Sequence, residues 1–123
     1  MCKTSFRRFV VDLTTASGTA TGYTVQLTGR LIAILYRKDG TTGFSNGSTF
    51  TITAEDTAQN LLTESNVNAS ADRYLARTVQ DNTGATIAEV VVQPVLVDER
   101  VKIVVTNAGN GKLGQFIVIV ATE

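Results

Sequence analysis

The chain has 123 residues, enough for one domain with a core that needs no disulfide or metal. Its 11 basic and 11 acidic side chains cancel, which argues against a protein built to neutralise a nucleic-acid backbone and against an acidic solubilising tail. With no histidine, no tryptophan and one cysteine, imidazole-dependent catalysis, the usual zinc centres and an internal disulfide all lack parts.

The opening residues, MCKTSFRRFVVDL, are too short and too charged for a signal peptide, so the expectation is a chain made in a reducing cytoplasm. Residues 5–13 predict a first strand, with residues 1–8 able to form an extended arm. Residues 14–22 (TTASGTATG) read as a small-residue loop. Tyr23, Val25 and Leu27 alternate with polar neighbours, the period of a half-buried strand. Gly29 interrupts that rhythm, and residues 31–36 (LIAILY) resume as an unbroken apolar run, which a bulge at Gly29 would explain. Asp39-Gly40 marks a turn.

Residues 48–54 (STFTITA) alternate cleanly and place Phe50, Ile52 and Ala54 on one face. Residues 55–71 carry the weakest strand signal and predict a long surface loop, with at most a helical turn over 57–62. A strand is predicted over 72–80, a turn over 81–84, and strands over 86–93 and 95–98 on either side of Pro94, which places that segment at an edge or a bend. Residues 100–106 and 115–121, joined by the glycine-rich 107–114, predict a C-terminal β-hairpin. The whole reads as one all-β domain over 1–123, an antiparallel β-sandwich or a jelly-roll-like barrel. The long 55–71 loop and the C-terminal hairpin are its distinguishing parts.

No constellation in the sequence has the form of an active site, so the expectation is a protein that is not an enzyme and takes no cofactor and no metal. Ser48 with Lys38 is a formal serine–lysine pair without supporting spacing. Asp98 and Glu99, as strand neighbours, point to opposite faces and cannot share a substrate. GNGKLG at 109–114 resembles a phosphate loop only superficially: its lysine is followed by Leu113 and a strand, where the nucleotide motif needs Ser or Thr and a helix. The scattered basic residues lack the interleaved aromatics of a nucleic-acid sheet, and no apolar run is long enough to span a membrane as a helix, so neither specific nucleic acid nor membrane is expected as a partner. Most aromatics follow the core rhythm. Phe44, between glycine-rich pieces, is expected as an exposed loop aromatic.

Three segments do not alternate: VVV at 90–92, IVV at 103–105 and FIVIV at 116–120. A strand with one wet face should alternate, so something is expected to cover the second face, a neighbouring subunit being the first choice. The expected assembly is a homo-oligomer, a dimer or trimer.

One stretch resembles a known family. PVLVDERVKIVVTNAGNGKLGQFIVIV, residues 94–120, is similar to the C-terminal hairpin of small tailed-bacteriophage virion proteins of the capsid decoration (cement) type, through Pro94, Arg100, Val101, Ile103, Val105, Gly109, Gly111, Lys112, Gly114 and Phe116. The resemblance implies a decoration protein on the outer face of the major capsid protein lattice, located in the virion, stabilising the head through many weak contacts. Its contact residues would come from the arm and the non-strand segments: Phe6, Arg7, Arg8, Phe44, Asn46, Leu61, Leu62 and Asn66. Two alternatives stand beside it: a head–tail, tail or fibre-associated virion protein, and a carbohydrate- or host-surface-binding β-module.

Overall fold

The computed structural model describes residues 5–75, 77–80 and 82–122, and the side chains of 77–79 and 87–91 are not described. Cys2, the first half of the expected arm (residues 1–4), Asp81 of the expected turn, and the side chains of Val90 and Val91 therefore lie outside the described residues.

Among the described residues eleven strands follow one another: β1 Ser5–Thr14, β2 Ala20–Tyr23, β3 Leu27–Lys38, β4 Ser48–Ala54, β5 Asn60–Val67, β6 Ala71–Tyr74, β7 Arg77–Gln80, β8 Thr86–Val92, β9 Val95–Glu99, β10 Val101–Thr106 and β11 Leu113–Thr122. They form a five-stranded antiparallel sheet in the order β1-β11-β3-β6, with β9 also on β3, a four-stranded antiparallel sheet in the order β2-β10-β4-β5, and a two-stranded ribbon of β7 and β8. The chain is all-β, and its two main sheets are open. Among the described residues no sheet closes on itself, so the expected jelly-roll-like barrel is corrected to two separate layers.

The layers meet through an apolar core. Val11, Leu13, Leu31, Ile34, Tyr36, Leu96, Phe116, Val118 and Val120 come from the larger sheet, and Ala20, Phe50, Ile52, Ala54, Leu61, Val101, Ile103 and Val105 from the smaller one. At its centre Phe50 stands edge-on to both Tyr36 and Phe116, with ring centroids 4.7 and 4.9 Å apart. Such pairs add to the area term of burial, because the positive ring edge meets the negative ring face.

The C-terminal pair is not a hairpin. β10 lies between β2 and β4 in the smaller sheet, and β11 lies between β1 and β3 in the larger one. The glycine-rich connection is an arch that carries the chain from one layer to the other. Asn107, Gly109 and Gly111 take positive φ there. Thr15 clasps the arch: its Oγ1 donates to the Gly109 carbonyl at 2.6 Å and accepts from the Lys112 N–H at 2.9 Å. Turn chemistry is common to hairpins and arches, so the glycines alone could not distinguish them.

Two further expectations are corrected. The long loop expected over 55–71 contains β5, an edge strand paired to β4, and the expected 72–80 strand is two short strands in different sheets. A polar edge strand shows little alternation, because only one of its faces packs. At the N-terminus, residues 5–8 are paired along β11, so the described part of the arm is ordinary strand.

Irregularities in β3 explain its unbroken apolar run. Ile119 pairs with Ala33 but Val120 pairs with Leu31, which leaves Ile32 as an extra residue. The bulge turns both Leu31 and Ile34 toward the core and so erases the two-residue period. A second register shift, between Leu27 and Gly29, lies where β9 pairs. Gly29 has φ +148°, and a Cβ there would sit 2.5 Å from the Ala121 carbonyl oxygen, so glycine is required.

Candidate functional site

The outward faces of the two layers differ in chemistry. Across the larger sheet the register aligns rows that share one face. One row is Phe6, Ala121, Arg30 and Val95, the next Arg8, Ile119, Ala33 and Tyr74, the next Val10, Ile117, Leu35 and Asp72. A fourth, polar row of Asp12, Gln115 and Arg37 closes one end. Phe6 is 68% exposed, Tyr74 75%, Val95 57% and Val10 46%, while Ala33, Ile117 and Ala121 are buried beneath their neighbours. The rim is charged, and Arg37 pairs with Asp72. The smaller sheet turns Thr21, Tyr23, Thr49, Thr51, Thr53, Thr63, Lys102, Val104 and Thr106 outward, a threonine surface suited to water.

A second feature is a cleft of about 300 Å³ between the layers, beneath the arch from β5 to β6. Its floor is Ile34, Tyr36, Phe50, Leu62 and Phe116, and its lip runs from Glu64 through Ala71 to Arg73. Glu64 and Arg73 form an ion pair across the lip, which raises the Arg73 pKa. Tyr36 is 3% exposed, and burial pushes its phenol up to about 12. Among the described residues its hydroxyl has no hydrogen-bond partner. Lys38 Nζ stands by the lip, donating to the Asn68 carbonyl at 3.1 Å and to Asn46 Oδ1 at 3.3 Å.

The residues singled out from the sequence separate. Phe6 and Arg8 stand on the outer face of the larger sheet, whereas Arg7 points the other way, its guanidinium 5.5 Å from the Phe9 ring centroid. Leu62 and Asn66 line the cleft, and Asn46 is exposed beside it, bonded to Lys38. Leu61 is buried in the core. Phe44, expected on the surface, is 2% exposed and stacks on Tyr36 at 5.7 Å. Its ring fills the space over Gly114, where a Cβ would come within 2.5 Å of it. Sequence reasoning missed Tyr74, Val95, Tyr36 and Arg73. The unalternating β11 was the signal for the outer face, and no local pattern marked the cleft.

The formal catalytic pairs do not assemble. Ser48 Oγ donates to the Ser45 carbonyl at 2.6 Å, and Lys38 is bonded elsewhere. Glu99 is buried and accepts from the backbone N–H groups of Asp56 and Thr57, both at 3.2 Å, which makes it the brace of the 55–57 turn. Glu55 pairs with Arg100, whose hydrogen bond lowers the Glu55 pKa, and the Arg100 guanidinium lies 4.2 Å from the Tyr23 ring centroid. Among the described residues no three His, Cys, Asp or Glu side chains gather as a metal site.

No family model and no curated protein matches the chain. Among solved structures it is similar to the crystal structure of FlhE, at 11% identity and a TM-score of 0.45, over 97% of this chain and 98% of that one. At this level the likeness transfers no activity. The hairpin that carried the phage resemblance is two strands of different sheets, so the feature it rested on is absent from the fold. The expectations built on that resemblance are corrected accordingly. These are the decoration role, the head–tail, tail or fibre alternative, the virion location, and the major capsid protein as partner; the homo-oligomer, expected from the unalternating strands and not from the resemblance, is set aside with that partner assignment. The carbohydrate-binding alternative is also set aside: Tyr23 and Tyr74 stand on different layers, and Arg100 lies over Tyr23.

Proposed function

We propose that this chain is a non-catalytic docking module that binds a protein partner through the outer face of its five-stranded sheet. One observation carries the reading: the two outward faces have opposite chemistry. A solvated sheet looks like the threonine face of the smaller layer. The larger layer instead presents Phe6, Val10, Tyr74 and Val95 over a floor of Ile119, Ala33 and Leu35. Exposed apolar side chains interspersed with arginines, here Arg8 and Arg30, are a usual form of a protein-binding site. Each large side chain covered there contributes about 1.5–3 kcal/mol of transfer free energy, before the cost of association.

The test is site-specific photo-crosslinking in the source cell, with the crosslinker at Tyr74 or at Thr51 on the opposite layer. The reading expects one defined protein to be captured from Tyr74 and not from Thr51, and the adduct to vanish when Phe6→Ser is added. Equal capture from both faces would refute it, as would turnover of a substrate by the purified chain.

A further inference from the structure

The geometry points to the cleft beneath the β5–β6 arch as a binding site for a small amphipathic anion, an apolar chain or ring system carrying one carboxylate or sulfonate. The site is separate from the outer face, and the inference does not depend on how that face is used.

Three observations support the occupant. The floor is apolar and largely aromatic, formed by Ile34, Tyr36, Phe50, Leu62 and Phe116, and at about 300 Å³ the space lies at the small end of ligand pockets. Tyr36 adds a buried hydroxyl for which the fold supplies no partner among the described residues. An uncompensated buried donor is costly, and a ligand oxygen would relieve it. The lip has a cation beside it. Within it Arg73 is balanced by Glu64, and the added charge comes from the neighbouring Lys38, whose Nζ donates to the carbonyl of the lining residue Asn68 and has no carboxylate within ion-pair distance among the described residues. An apolar body on the floor with an anionic head at Lys38 satisfies all three features. A strand-shaped peptide fits less well, because the short link from β5 to β6 bridges the cleft from layer to layer.

The probe is anilinonaphthalene sulfonate, whose fluorescence reports transfer into an apolar site, with sodium octanoate as competitor. The full chain in native buffer should bind one dye saturably, and octanoate should displace it. Ala71 pairs with Tyr36 and lines the cleft, so Ala71→Phe fills the space and should weaken binding at least tenfold. Tyr36→Phe and Lys38→Gln each remove one polar contact and should weaken it about three- to tenfold. These two variants leave the packing intact and carry the test if Ala71→Phe does not fold. Val10→Thr, on the outer face, should change nothing. Absence of saturable binding overturns the assignment. So does binding that survives Tyr36→Phe and Lys38→Gln but is lost with Val10→Thr, which would place the dye on the outer face. Displacement by a soluble peptide of alternating valine and threonine, and not by octanoate, would overturn it in favour of an extended peptide.

Discussion

Thr15 holds the two layers in register at the arch, and Thr15→Val tests that role with almost no change in shape. Thr15 is 3% exposed, and its hydroxyl makes two bonds with the arch, one to the Gly109 carbonyl and one from the Lys112 N–H. Valine replaces it with a methyl group of similar size. Both arch groups then lose a partner in a site that water reaches poorly. A net hydrogen bond is worth about 1 kcal/mol and an orphaned buried group costs about 1–3, so the expected loss is about 2–4 kcal/mol after allowing for relaxation. For a domain with a total stability of about 5–15 kcal/mol this is a large fraction. Urea unfolding followed by circular dichroism should show the midpoint falling by about 1–2 M with the slope unchanged. Thr19→Val is the control, because that hydroxyl is exposed and makes one 3.3 Å bond to the Ala16 carbonyl; it should stay within about 0.5 kcal/mol of the parent. A Thr15→Val midpoint equal to the parent's, or an equal loss in the control, would refute the clasp.

Phe44→Ala should cost about 3–5 kcal/mol in the same assay, because the ring is packed between Tyr36 and Gly114 and its loss leaves a cavity; a change below about 1 kcal/mol would restore it to the surface. Gly114→Ala should lose about 1–3 kcal/mol by pushing its Cβ into that ring, and Gly114→Ala combined with Phe44→Leu should lose less than the two separate effects added together. The Asp39 carboxyl is held below its usual range by the N–H groups of Thr42 and Thr41 and by the Thr42 hydroxyl, so it binds protons more weakly folded than unfolded. Its stabilisation is therefore full above the unfolded carboxyl pKa of about 4 and lost as pH falls through the lower folded value. Asp39→Asn should flatten the acid limb of a midpoint-versus-pH series between pH 5 and 3, and an unchanged limb would contradict the turn's hydrogen bonds.

Local periodicity was legible wherever a strand packs one face. In β4 the alternation placed Phe50, Ile52 and Ala54 together, and all three are buried. Asp39-Gly40 signalled its turn because a short side chain accepting from the next N–H groups is a local event. The unalternating β11 correctly implied a strand with two apolar faces. Legibility failed where irregularity or distance intervened. The bulge at Ile32 hid the period of β3, β5 was too polar to announce itself, and Phe44 looked like a loop residue because its partners Tyr36 and Phe116 lie in other strands.

Composition and spacing by themselves determined the class of the chain. β-branched residues, turn glycines and two-residue alternation are enough to demand strands, and the absence of histidine removes whole families of chemistry before any coordinates exist. Only the tertiary structure decided which strands pair. Hydrogen bonding along a strand edge is indifferent to sequence, so β10 and β11 could have formed a hairpin or parted to separate layers. The choice rests on contacts made far along the chain, among them the clasp of Thr15 on Gly109 and Lys112. The same choice set the apolar residues of β11 between those of β1 and β3, and so produced the outer face, and it opened the cleft under the β5–β6 arch.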